Sequence, residues 1–324
     1  MSILNIQEAK REGARLVIGI DALSGDGKTL SALLMAWGLA GGDASKIGFL
    51  DTENKRGALY ADKLVDKHGK IHRFKIASLD APFTPERYSM AIKEFQAAGI
   101  EVLVIDSVSH EFEGSGGCGE IAELDNNGQP RKFPAWNVAK SRHKKFMNTL
   151  LNSDVHIIAC VRSREKMRIE EQEVNGRKKS VYISDGIQPI QEKNFTYELT
   201  VSFQLAANGK HRFVKKCPTE LVAVFGEPGE WAEGYLTPQH GTALRNWVAG
   251  VDPEDAKREK ARNHLRTEVE KGSAAVLKVF EKFSDDIHKL FDYTIPNDIL
   301  ESAKAYDEMQ KQPVDDINSD LDGE

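Results

Sequence analysis

Residues 22–29 read Ala22-Leu23-Ser24-Gly25-Asp26-Gly27-Lys28-Thr29, with Leu30 next. Two glycines let successive backbone N–H groups turn toward one point, and a helix opening at Lys28 adds its positive end. Together they form a cradle for phosphate oxygens. Lys28 brings a point charge to the β- and γ-phosphates of a nucleoside triphosphate, and Thr29 brings a hydroxyl to the Mg²⁺ that accompanies them. The strict pattern has Gly where Ala22 stands, but Gly25 and Gly27 keep the freedom needed beside the phosphates. Mg²⁺ also needs a supporting carboxylate. Asp106 meets that need, at the end of the apolar run Leu103-Val104-Ile105. Hydrolysis further requires a group that orients or deprotonates water. A second run, 48–53, carries Asp51 and Glu53 at its end, and spacing leaves either carboxylate open for that role.

These groups converge only if the segments carrying them lie side by side in one sheet. The pattern predicts this. Short β-branched runs at 15–23, 47–51, 71–76, 101–107 and 155–161 alternate with helical stretches at 28–39, 85–98 and 136–151, the second capped by Thr84 with Glu86 in its first turn. Such a βαβ series implies an α/β fold: a mostly parallel twisted sheet flanked by helices. After residue 161 the pattern changes. Asn175-Gly176 sits between two extended runs, a strong hairpin signal. Runs 195–205 and 211–225 read as strands joined at Asn208-Gly209, and 254–270 and 274–291 read as helices. The expected organisation is an N-terminal segment 1–12, a core 13–250, a helical C-terminal extension 251–312 and a disordered acidic tail 313–324.

The 324 residues are 40% hydrophobic and 29% charged, a soluble composition, and no apolar run is long enough to cross a membrane. The first residues carry no apolar signal core, so a cytoplasmic location is expected. Cys118, Cys160 and Cys217 read as reduced thiols. His110, Cys118 and His143 lack metal-ligand spacing, and no Ser–His–Asp hydrolase signature is present. The net charge is −6, from 50 acidic and 44 basic residues. Residues 251–324 hold 19 and 11 of these, leaving 31 and 33, a net of +2, so the core keeps room for a basic face.

In its order of GxGKT, LDTEN and VIDSVS, the chain resembles the RecA family of ATPases, and LDTENKRGALYADKL aligns with the corresponding RecA segment without a gap. The resemblance is closer to a group of phage-encoded RecA-like P-loop ATPases, carried by AKREG, SGDGKTLSALL, PFTPERY, VIDSVSHEFEG and FPAWNVAKSRHKKF over roughly residues 9–235. Some of that wider group act in single-strand annealing or recombination. The resemblance implies ATP and Mg²⁺, Glu53 as catalytic glutamate and Tyr60 stacked on adenine. It also implies a γ-phosphate sensor at Arg162 or Ser163, where RecA has a Gln. In RecA filaments, lysines reach into the neighbouring subunit's site. Lys215 or Lys216 would fill that role, in a homo-oligomer with ATP at subunit interfaces.

Single-stranded DNA is the implied partner. Arg162, Arg164, Lys166 and Arg168, with Arg177, Lys178 and Lys179 near the hairpin tip, provide cations for phosphates, although Glu165, Glu170, Glu171 and Glu173 intervene. The glycine-rich run 113–119 reads as a second, mobile loop, and Lys140, Arg142, His143, Lys144 and Lys145 as another basic candidate. Trp136 and Tyr182 read as packing residues. His110, just past Asp106, either contacts nucleotide, couples the loops or caps one. Rival readings are an ATP-driven partner-binding switch without DNA, a P-loop kinase, and a helicase-type motor or loader. Residues 313–324 carry five carboxylates and no base. Deleting them should tighten single-stranded DNA binding, most visibly at low salt, in a fluorescence-anisotropy titration. Unchanged affinity would make the tail a solubilising appendage.

Overall fold

The computed structural model describes residues 14–125, 127–174, 177–251 and 253–311; the expected segment 1–12, the tail and the turn residues Asn175 and Gly176 lie outside them. The chain forms two compact units, 1–250 and 251–324.

In the first unit β1 (Val17–Ala22) leads into α1 (Lys28–Leu39). Then come β2 (Ile47–Asp51), a small antiparallel pair β3 (Leu64–Val65) and β4 (Ile71–His72), β5 (Lys75–Ser78) and α2 (Pro85–Ala97). β6 (Val102–Asp106) is followed by α3 (Ser109–Glu113), α4 (Cys118–Glu123) and α5 (Trp136–Leu151). Next are β7 (His156–Val174), β8 (Arg177–Pro189), α6 (Phe195–Glu198), β9 (Val201–Ala206), β10 (His211–Lys216), α7 (Val222–Phe225), β11 (Trp231–Glu233) and α8 (Pro238–Val248).

The sheet order is β11-β10-β9-β1-β7-β6-β2-β5. The six strands from β9 to β5 run parallel, and β10 and β11 close one edge antiparallel. Parallel strands end along one edge, so Asp51, Asp106 and the loop after Ala22 share it; Asp51 stands level with Asp106, and Asp106 with Cys160. Strand alternation divides the core. Ile18, Ile20, Val104, Ile158 and Phe203 pack on one face with Leu33, Ala36 and Leu244 of α1 and α8. Val17, Leu103, Ile105 and Ile157 pack on the other with Tyr88, Ile92 and Phe146 of α2 and α5. The second unit holds α9 (Pro253–Arg266), α10 (Ser273–Phe280), α11 (Asp285–Leu290) and α12 (Asn297–Lys311) around Leu265, Val276, Phe280 and Ile299.

Several expected boundaries are corrected. The 71–76 run is two strands, because Ile71 pairs with Val65 while Lys75 pairs with Gly48 of the main sheet. The 155–161 strand does not stop; it continues to Val174 as one arm of the hairpin. The 195–205 strand begins only at Val201, after the α6 turn, and the 211–225 strand ends at Lys216, just before Pro218. Proline cannot donate to the ladder, and the apolar residues beyond it fold as helical turns. The 274–291 helix breaks at Ser284, an N-cap with extended backbone followed by Asp285 and Asp286.

The loop helix α1 is clamped by α8 at two glycines. An ideal Cβ at Gly38 would lie 1.7 Å from the Pro238 carbonyl oxygen, and one at Gly241 would lie 2.0 Å from that of Met35. Gly38→Ala should therefore destabilise the protein by about 1–3 kcal/mol, read as a lower denaturant midpoint, because two helix backbones must separate. An unchanged midpoint would mean that this contact is dispensable.

Candidate nucleotide-binding and hydrolysis site

The 22–29 segment turns from β1 into α1. Ala22 is buried at the strand end, where its methyl fits the core. Gly25 and Gly27 have φ of 91° and 80°, left-handed values that a side chain would strain. A Cβ at Gly25 would meet no protein atom, so the loop's inner side is open to a ligand. Gly27 caps α1 without any side-chain acceptor, which leaves the first N–H groups of the helix for an anion. Asp26 fixes the loop from outside by accepting the Asn208 N–H at 3.1 Å.

Thr29 donates its hydroxyl to Asp106 Oδ2 at 2.5 Å. Asp106 is 5% exposed, and burial pushes its carboxyl above the ordinary range, against the pull of Lys28 and Thr29. Asp51 and Glu53 take different parts. Asp51 accepts the backbone N–H groups of Glu53 (2.7 Å) and Gly57 (2.6 Å), so its lone pairs hold the loop. Glu53 borders the cleft with Lys28, Thr29, Asp106 and Tyr60. Arg56 lines the same cleft as an exposed cation that motif spacing does not single out; the basic residue within ENKRG was the available signal.

Arg162 and Ser163 occupy successive strand positions and face opposite ways. Arg162 Nε lies 3.7 Å from Glu53 Oε1, and its Nη1 donates to His110 Nε2 at 3.2 Å. Burial lowers the His110 pKa and favours the neutral ring, which then carries its proton on Nδ1, 2.8 Å from Thr52 Oγ1. His110 thus bridges Thr52, just past β2, and Arg162 on β7. Ser163 donates to Asp21 Oδ2 at 3.0 Å, and Lys215 donates to Asp21 Oδ1 at 2.7 Å. Burial pushes the Asp21 carboxyl up and Lys215 opposes it. Lys216 points elsewhere and donates to the Tyr197 carbonyl at 2.8 Å.

Residues 15–223 match the AAA domain family. The chain belongs to that family. No curated protein matches it. Among solved structures it is similar to a KaiC-like protein from the hyperthermophilic archaeon Pyrococcus horikoshii, at 18% identity and a TM-score of 0.29, over 63% of this chain and 89% of that one. As an AAA-domain protein it has the expected α/β RecA-like P-loop fold, a mostly parallel sheet flanked by helices, with further helices toward the C-terminus. The donor set fits a nucleotide with Mg²⁺: an open glycine cradle, a lysine, and a hydroxyl beside a buried carboxylate. Among the described residues, no helix is long and apolar enough to cross a membrane.

The remaining candidates disperse. Arg164 pairs with Glu113 at 3.3 Å and Arg168 with Glu170 at 2.7 Å, while Lys166 is exposed. Arg177, Lys178 and Lys179 lie on β8, but their side chains are outside the described residues. The basic helix is less basic than expected, because His143 is buried and Arg142 is held by Glu86 at 2.6 Å. Tyr182, expected to pack, is 69% exposed. The 113–119 run forms a close-packed turn rather than an open loop. Gly116 donates to Glu120 at 2.8 Å, and a Cβ on Gly116 would strike Pro82.

Asp106→Asn removes the charge and keeps the shape. Because burial disfavours the charged form, the variant should keep or raise the melting temperature while Mg²⁺-dependent hydrolysis falls on the order of a hundredfold. Activity and stability falling together would mark Asp106 as merely structural.

Proposed function

We propose that this AAA-domain protein is a Mg²⁺-dependent ATPase that assembles as a homo-oligomer and binds single-stranded DNA, acting in recombination or annealing. The observation that carries the reading is the unbroken course of β7. Its early part holds Arg162 against Glu53, and its later part pairs with β8 in a ribbon that displays Lys166 and Arg168 beside the exposed side chains of Met167, Ile169 and Tyr182. Cations suit phosphates, and the flat ring of an exposed tyrosine suits bases. Ile169 stands opposite Tyr182, so the two share one face of the ribbon.

In this reading Lys28 and the loop amides hold the phosphates. Thr29 and Asp106 hold Mg²⁺, which when bound neutralises charge on the transferring phosphoryl group. Tyr60 lies against the base. Glu53 takes the proton from water, and Asp51 fixes where Glu53 starts. A strand engaging the ribbon shifts β7, moves Arg162 and changes the carboxylate's aim. Lys215 is held by an ion pair to buried Asp21 in its own subunit, whereas Lys216 is held only by the exposed Tyr197 carbonyl, so Lys216 is the more readily released to reach a neighbour.

The exposed Met167, Ile169 and Tyr182 also favour a second reading, an ATP-driven switch that docks a protein on the ribbon. Phosphate-release assays separate the two. Single-stranded DNA should raise turnover, and Glu53→Gln should bind ATP while losing about 10²-fold or more in turnover. No stimulation by DNA, together with wild-type turnover in the Gln variant, would overturn the proposal.

A further inference from the structure

Glu111 on α3, Cys118 on α4 and His143 on α5 are separated in sequence but meet in one corner. Cys118 Sγ donates to Glu111 Oε1 at 3.2 Å, and His143 Nδ1 lies 3.1 Å from both Glu111 oxygens. Glu111 is 0%, Cys118 1% and His143 7% exposed. Their sulfur, nitrogen and oxygen atoms all lie within 4.8 Å of one another. None of the three borders the nucleotide cleft.

Two further observations bear on this corner. Among the described residues its own buried apolar cluster is Cys118, Ala122 and Ala139, with Phe112 and Ile121 partly covered, and Phe146 of the larger core packs against the His143 ring. So small a core stabilises little, and α4 is just six residues long. A cleft of about 340 Å³, bordered by Cys118, His143, Phe112 and Trp136, opens onto the cluster. It supplies an entry path and room for one water. Gln191 also reaches the carboxylate, its Nε2 lying 3.5 Å from Glu111 Oε2 and 3.1 Å from the Val108 carbonyl, a supporting contact behind the ligands.

We propose that Glu111, Cys118 and His143 form a transition-metal site suited to Zn²⁺, with water from the cleft as fourth ligand. One thiolate, one imidazole and one carboxylate are the donors that a borderline-soft, four-coordinate ion takes. Each metal–ligand bond replaces a hydrogen bond within the cluster. With a neutral imidazole, the Cys118 thiol proton passes to solvent and the Nδ1 proton is exchanged for one on Nε2. One proton is released per ion bound. The ion would tie α3, α4 and α5 together where apolar burial is thin.

The full chain, stripped of metal and free of nucleotide, is titrated with Co²⁺ and followed by absorption. The expected result is a thiolate-to-metal charge-transfer band that saturates at one equivalent and is bleached by Zn²⁺. It is lost in Cys118→Ser and kept in Cys217→Ser. No such band in the wild type, or a band that survives in Cys118→Ser, overturns the site. Should Cys118→Ser fail to fold, alkylation of the wild type mapped by mass spectrometry decides. Zn²⁺ should slow labelling of Cys118 about tenfold or more without slowing Cys217. Equal labelling with and without Zn²⁺ refutes the assignment.

Discussion

Asp106 carries a charge into a place that water hardly reaches, and its surroundings are arranged around that fact. Burial works against its ionised form, while Lys28 and the Thr29 hydroxyl work for it. A divalent ion beside the pair would favour ionisation further. Other buried carboxylates lie along this edge of the sheet. Asp51 at the end of β2 is held by two backbone N–H groups, and Asp21 near the end of β1 by Lys215 and Ser163. Parallel strands deliver these carboxylates side by side, so each must find its own partner. The partners chosen determine the rest: the aim of Glu53, the anchoring of β10 to β1, and the setting of the phosphate loop.

Alternation along β7 turns one strand end into two separate contacts. Arg162 reaches Glu53 and His110 on one side, and Ser163 reaches Asp21 on the other. A displacement of β7 would therefore bear on Glu53 and on the phosphate-loop strand together.

What the sequence revealed, and what it concealed, follows from the range of the interactions. The phosphate loop, Asp106, the Thr84 cap and α5 were legible because glycine spacing, apolar runs and capping act within a few residues. That Asp51 rather than Glu53 is taken up by the backbone of its own loop was not legible, because it depends on how residues 53–57 turn and not on residue spacing. Nor was the fate of Lys215, whose partner lies 194 positions away. The 113–119 run looked loose because glycines permit flexibility, whereas here Gly114 and Gly116 permit close approach to the His110 and Pro82 backbones. Cys118 and His143 looked unrelated because no linear spacing encodes the meeting of α3, α4 and α5. The 195–205 and 211–225 strands were overextended, since apolar runs alone do not separate strands from short helical turns.

In the proposed function, Lys28, Thr29, Asp106 and Glu53 surround one Mg²⁺-bound triphosphate. A crystal structure with Mg²⁺ and a non-hydrolysable ATP analogue tests it most directly. The phosphates are expected in the loop, the Thr29 hydroxyl oxygen on the metal with its proton still directed at Asp106, and Asp106 behind a metal-bound water. Glu53 is expected to face the γ-phosphate. A nucleotide bound away from Lys28, or a metal that does not touch the Thr29 hydroxyl oxygen, would contradict it.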